Sequence, residues 1–195
     1  MKTIATALLA GAALILSGTL ALADGDPYAE TISSFKNAGQ SSNYFKSAYG
    51  YAVFPTVGKG GFGVGGAYGK GRVYEKGKLV GDASISQLSI GFQAGGQAYS
   101  EIIFFENNAA FDNFTAGNFE LGADFSAVAI TAAAQAGATT AGGTSSSASG
   151  GKNNAKTSAA LTGYTKGMKV FTVVKGGAMY EASVGGQKFS YKSRG

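Results

Sequence analysis

Several residue patterns in this chain have spacings that chemistry uses. Gly61-Phe62-Gly63-Val64-Gly65-Gly66 satisfies the G-x-G-x-x-G spacing of a dinucleotide-binding turn, and Asp82 lies near the place of a ribose-binding acid. Such a turn needs a helix to present its N-terminus to the pyrophosphate. Here Ala67-Tyr68-Gly69-Lys70-Gly71 continues a glycine-rich strand pattern instead. A glycine in a strand costs about 0.5–1 kcal/mol relative to alanine, so Gly61, Gly63 and Gly65 on one strand face point to another element packed directly on the backbone.

Ser33-Ser34-Phe35-Lys36 and Ser149-Gly150-Gly151-Lys152 both match S-x-x-K, but neither has the partner motifs of a serine acyl-enzyme. Glu120 and Asp124 point to one side of a predicted strand. Four residues of strand separate them by roughly 13 Å, wider than a glycosidase pair uses. Asp24, Asp26 and Glu30 lack the glycine and spacing of a calcium loop and suit a helix N-terminus. The sequence contains neither His nor Cys. That excludes Ser-His and Cys-His nucleophile pairs, imidazole or thiolate zinc sites, disulfides and a thioether or thioester lipid anchor. No catalytic residue, no metal site and no cofactor is expected.

Charge is the stronger signal, and it suits binding. Residues 58–81 hold five basic groups and one acid, residues 82–151 hold six acids and no Lys or Arg, and residues 152–195 hold eight basic groups and one acid. Such segregation points to a folded body with a basic side and an acidic side. Lys59, Lys70, Arg72, Lys76 and Lys78 concentrate around two predicted turns. Near an anionic leaflet each would contribute about 1 kcal/mol, and these five are the candidate lipid-binding residues.

The elements that must position them follow from periodicity. Lys2, the apolar run Ile4 to Leu16 and Ala21-Leu22-Ala23 read as a signal peptide over residues 1–23. Asp26-Pro27 opens a helix carrying Tyr28, Ile32 and Phe35 on one face within residues 24–41. That face either lies in a membrane interface or covers the sheet. A second helix starts at Ser41 or Ser42 and ends at Gly50.

Period-two patterns then predict short strands at Tyr51 to Val57, Phe62 to Tyr68, Arg72 to Glu75 and Lys78 to Val80, the last two joined by a Lys76-Gly77 hairpin. A longer strand over Ser84 to Ala98 puts Leu88, Ile90, Phe92 and Ala94 on its apolar face and the glutamines on the other, with a bend at Gly95-Gly96. Glu101 to Glu106 and Phe119 to Ala129 are further strands, with a helical turn at Asn108 to Phe114 between them. Residues 131–160 are almost all Ala, Gly, Ser, Thr and Asn and read as a loop. Strands at Lys169 to Val174, Ala178 to Val184 and Lys188 to Tyr191 complete the chain. The fold class is mainly β (α+β), an antiparallel sandwich or barrel-like sheet with N-terminal helices.

An ordered series of motifs resembles a known family. Gly50-Tyr51-Ala52-Val53-Phe54-Pro55 followed by Gly60 to Gly66 is similar to the opening of the SYLF lipid-binding domain. The likeness continues through Ile90 to Gln97, Ile102 to Phe105, Leu121-Gly122-Ala123-Asp124 and Lys175 to Ala182. It implies a non-enzymatic, mainly β domain over residues 42–195. Eukaryotic relatives bind phosphoinositides, some fungal relatives bind actin, and exported bacterial relatives are described as lipid-binding. Ala129-Ile130 stands here where the eukaryotic pattern has Gly-Pro. The expected partner is phospholipid or an anionic membrane surface, with neither nucleic acid nor actin. The expected location is periplasmic or secreted, peripheral on a membrane. An outer-membrane barrel or a secreted adhesive β protein is the alternative.

Overall fold

A computed structural model describes residues 25–122, 124–130, 163–177, 184 and 186–195, leaving aside the side chains of 62–64, 89–95 and 176–177. The expected signal peptide, the loop 131–160 and the strand Ala178 to Val184, apart from Val184, lie outside the described residues.

Helix α1 (Pro27–Asn37) begins as its sequence predicts. The Tyr28 amide donates to Asp26 Oδ1 at 3.1 Å, and Pro27 takes a first-turn position where a missing N–H costs no helical bond. The second helix is two short pieces, α2 (Gly39–Ser42) and α3 (Tyr44–Ser47). Ser41 Oγ donates to the Phe35 carbonyl at 2.6 Å and Ser42 Oγ to that of Gly39 at 3.2 Å, local bonds that compete with a continuous helix.

The short strands expected between residues 51 and 105 are instead two long ones, β1 (Gly50–Glu75) and β2 (Lys78–Phe105), paired antiparallel from Gly50 opposite Phe105 to Glu75 opposite Lys78. Glycines that read as breaks stay in the ladder, because glycine keeps both backbone hydrogen-bonding groups. The Lys76-Gly77 hairpin is confirmed: φ values of 47° and 81° are those of a tight turn that matches strand twist. The predicted bend moves, since Gly95 and Gly96 remain paired with Gly61 and Gly60 and the nearest of three register shifts lies between Phe62 and Val64.

The remaining elements are α4 (Asn108–Thr115), β3 (Asn118–Glu120), β4 (Ala127–Ile130), β5 (Met168–Gly177) and β6 (Lys188–Ser193). The sheet runs β3-β6-β2-β5-β4, with β1 along the other edge of β2. Its pairings are antiparallel except β4 on β5, which is parallel, so the sheet is mixed. The single strand expected over Phe119 to Ala129 is interrupted after Glu120. There Leu121 exchanges backbone bonds with Gln187 and Gly186, and the Phe125 amide turns back to the Gly122 carbonyl at 3.1 Å.

The long hairpin curls until its ends meet, giving a half-barrel. The Lys76 amide donates to the Tyr49 carbonyl at 3.0 Å, joining residues at the two ends of β1. A Cβ at Gly69 would lie 2.9 Å from Val57 Cγ2 and 3.0 Å from the Thr56 carbonyl, and one at Gly71 would enter the Phe54 ring. Close packing on glycine is thus seen at Gly69 and Gly71, further along the strand than Gly61, Gly63 and Gly65, where it was expected.

The concave face holds a core of Phe54, Ile85, Tyr99, Ile103, Phe105 and Phe189, with Phe111 and Phe114 of α4 packed on it. A second core lies on the convex face, where Phe35, Tyr28 and Ile32 of α1 and Tyr44 and Phe45 of α3 cover Ile102, Phe104 and Phe171. Of the two readings of α1, this is the sheet-covering one.

Candidate lipid-facing site

The helices cover the outer face of the hairpin at its base and, where the curled ribbon returns, at Arg72 and Tyr74, but not around Tyr68, Lys70 and Leu88. Side-chain direction in the tip half follows from strand parity. Ala83 and Ile85 point into the concave core, so the residues between them and beyond alternate outward. At the described positions after Ser84 the apolar side is not the interior one: Gln87 is buried and Leu88 is 86% exposed, while the side chains of Ile90, Phe92 and Ala94 lie outside those described. Alternation located two faces correctly but gave the wrong side, because the concavity accepts glutamine.

On the outer face, cross-strand register sets out rows of side chains. Tyr68 stands opposite Ser86, which stands opposite Lys188, which stands opposite Glu120. In the next row Lys70, Ser84, Ser190 and Asn118 align, with the Ser84 and Ser190 hydroxyls 2.7 Å apart. Arg72, Asp82 and Lys192 form a third. Two depressions share Tyr68: one of about 640 Å³ touching Leu88, Ser86 and Lys188, and one of about 280 Å³ touching Lys70, Ser84 and Lys192. Tyr68 is 56% exposed, so an aromatic ring and Leu88 stand in solvent beside lysines.

The five expected lipid-binding residues do not form one surface. Lys70 is exposed on this outer face. Lys76 and Lys78 are exposed at the hairpin turn, with Lys76 Nζ 4.9 Å from the Tyr49 ring centre. Arg72 faces outward but is committed to structure: its guanidinium bonds Asp26 Oδ2 at 2.6 Å and lies 4.0 Å from the Tyr28 ring centre, tying α1 to β1. The same hydrogen bond holds the Asp26 carboxyl below its usual range. Lys59 is on the concave face and buried, opposite Gln97. Its position on β1 after the register shift at Phe54 and Val57 turns it inward.

Lys188 and Lys192 join the surface from a strand more than 100 residues away, a pairing that linear charge counting cannot place. Asp82 is engaged by Arg194 through two bonds of 2.7 Å, which lowers its pKa, and Lys188 is 3.9 Å from Glu120. Lys70 and Lys192 make no ion pair among the described residues. Glu120 and Asp124, once a candidate pair, go separate ways, since Asp124 pairs with Lys166 at 2.8 Å.

A second polar cluster sits inside. Gln187 Nε2 donates to Tyr99 Oη at 3.0 Å and to Glu101 Oε2 at 2.9 Å, and all three side chains are fully buried. Burial pushes the Glu101 carboxyl up to about 8, against a smaller opposing pull from the Gln187 bond. The Tyr99 phenol is raised by burial and then by the Glu101 charge. Sequence reading took Glu101 to Glu106 as a buried strand, which holds for residues 101–105, but gave Glu101 no role of its own.

A family model described as Ysc84, Las17-binding protein actin regulator, matches residues 86–194. No curated protein matches the sequence. The matched span contains Leu88, Glu101, Gln187, Lys188 and Lys192, while Lys59, Lys70, Arg72, Lys76 and Lys78 precede it.

Proposed function

Because the chain belongs to the Ysc84 family of SYLF domains, we propose that it binds phospholipid at an anionic membrane surface, without catalysis, through the bare outer face of the hairpin's tip half. Family membership is consistent with lipid binding in general. The observation that carries the finer reading is Leu88, 86% exposed on a sheet face beside Tyr68, Lys70, Lys188 and Lys192. An apolar side chain in solvent is ordinary alone, but here it adjoins an aromatic ring and Lys188, which is 3.9 Å from Glu120, with Lys70 and Lys192 in the neighbouring depression making no ion pair among the described residues. Lipid phosphates would meet the ammonium groups while Leu88 and Tyr68 reach the headgroup boundary.

The export signal read in residues 1–23 would place this surface in the cell envelope or outside it. A membrane-spanning barrel asks for an outward apolar band. Here helices cover part of the outer face, and Lys70, Ser84, Ser190 and Lys192 line another part. An adhesive protein gains no specific support.

Vesicle co-sedimentation tests the reading. Association is expected with vesicles containing phosphatidylglycerol and not with pure phosphatidylcholine, and it should fall as salt rises, because exposed charges are screened within about 8 Å at physiological ionic strength. Equal binding to both vesicle types at all salt concentrations would contradict it. The family description names an actin regulator, so filamentous actin is the companion arm. Pelleting with actin and not with vesicles would replace the lipid reading.

A further inference from the structure

The smaller depression of the outer face, about 280 Å³, gathers donors for an anion. Among the residues that line it are Ser84 and Ser190, whose hydroxyls are 2.7 Å apart. One of the two donates to the other, so one hydroxyl proton of the pair is left for a ligand. Lys70 borders the pair from β1, directly opposite Ser84, and Lys192 follows Ser190 two residues along the same face of β6. Two strands and two residues put their Cα atoms roughly 12 Å apart, a span that two lysine side chains can close on one anion between them.

The charges around the depression do not cancel. Asp82 also lines it, but both its carboxylate oxygens accept from Arg194, at 2.7 Å each. Arg72, opposite Asp82 in the next row, is held by Asp26 at 2.6 Å. These two acids and two guanidinium groups offset one another. Lys70 and Lys192 make no ion pair among the described residues, so two positive charges at the depression are left uncompensated.

An anion with two charges and three acceptor oxygens matches this set. A phosphomonoester carries about −1.5 to −2 at pH 7 and presents three terminal oxygens. A phosphodiester, with one charge and two free oxygens, leaves one ammonium group without a partner. We propose that this depression selects the terminal phosphomonoester of a membrane lipid over a phosphodiester headgroup, with Lys70 and Lys192 on the phosphate charge and the serine pair donating the third hydrogen bond. The selection rests on the lipid-facing reading above and adds a headgroup class to it. Tyr68, 56% exposed and shared with the larger depression at Leu88, marks the side on which the apolar part of the lipid lies.

The test compares vesicles of phosphatidate in phosphatidylcholine with vesicles of phosphatidylglycerol in phosphatidylcholine, adjusted at each pH to the same surface potential so that long-range attraction is equal. At pH 7.5 the protein should bind the phosphatidate vesicles on the order of tenfold more tightly, the effect of one added charge-assisted hydrogen bond. The preference should shrink at pH 5.5, where the phosphomonoester takes up its second proton. The chain has no histidine to titrate in that interval, and Asp82, held below its usual range by Arg194, stays ionised. Any change at Glu101, inside the half-barrel, acts on both vesicle types and cancels in the ratio. Ser84→Ala combined with Ser190→Ala, neither of them a buried position, should bring the ratio near one at an unchanged denaturant midpoint. Glycerol 3-phosphate should compete with phosphatidate vesicles, and glycerophosphoglycerol, a diester, should not. Equal affinity for the two vesicle sets, a preference kept by the double serine variant, or one undiminished at pH 5.5 would overturn the headgroup assignment and leave the membrane reading standing. Association with neither set would overturn the membrane reading and this one with it, even where glycerol 3-phosphate binds.

Discussion

The two halves of one hairpin live in different surroundings. At the base, residues 50–57 and 98–105 are packed on both faces: Phe54, Tyr99 and Ile103 enter the concave core while Val53, Ile102 and Phe104 lie under α1 and α3. At the tip, Ala67, Val73, Ala83 and Ile85 face the same concave core, but no helix covers Tyr68, Lys70 and Leu88 on the other side. Both strands run on from one half to the other, with a shift in register between Phe62 and Val64. The difference lies in which faces carry large apolar residues, so stability is concentrated at the base and surface chemistry is free to vary at the tip.

Substitutions in matched positions sharpen that contrast. Phe104, fully buried and ringed by Tyr44, Phe45 and Phe171 at centroid distances of 4.8–6.0 Å, should cost about 3–5 kcal/mol when changed to Ala, read by urea unfolding. Leu88→Ser should move stability by no more than about 0.5 kcal/mol in the same experiment. A large loss at Leu88 would show that the tip face is covered after all.

The pH dependence of stability is the next largest effect. Glu101 has its folded pKa raised from 4.5 to about 8, so the native state holds a proton that the unfolded state releases between those values. Stability should therefore fall as pH rises from about 4.5 to 8, and the penalty is complete above that range. Glu101→Gln should flatten this slope. An unchanged slope would place the responsible group elsewhere.

The curl itself can be tested by glycine replacement. Gly71→Ala puts a methyl into the Phe54 ring and should cost about 1–3 kcal/mol, whereas Gly58→Ala meets nothing within 4 Å and should be close to neutral. Equal effects at the two positions would mean that the ribbon does not close on itself there.

Much of the local architecture was legible in sequence. Asp26-Pro27 announced α1 and Lys76-Gly77 announced the hairpin turn, because each of these rests on chemistry within a few residues. Strand lengths were not, since Gly58 and Gly69 look like breaks until a partner strand is there to pair with them. Face polarity after Ser84 failed for a related reason: which side is interior depends on the curl, which admits Gln87 and Gln97 and leaves Leu88 outside. The candidate surface was half legible. Lys70 lay in a visible basic block, but Lys188 and Lys192 join it only through the β2 and β6 register, and Lys59 leaves it through a bulge.

The most direct test of the lipid surface is vesicle association of the triple variant Lys70→Gln, Lys188→Gln, Lys192→Gln beside the turn variant Lys76→Gln, Lys78→Gln. All five side chains are exposed, so both proteins should unfold at the wild-type denaturant midpoint. If the tip face is the membrane contact, the triple variant loses most of its association with phosphatidylglycerol vesicles, and the turn variant retains most of it. Undiminished binding by the triple variant, with the loss confined to the turn variant, would contradict the assignment.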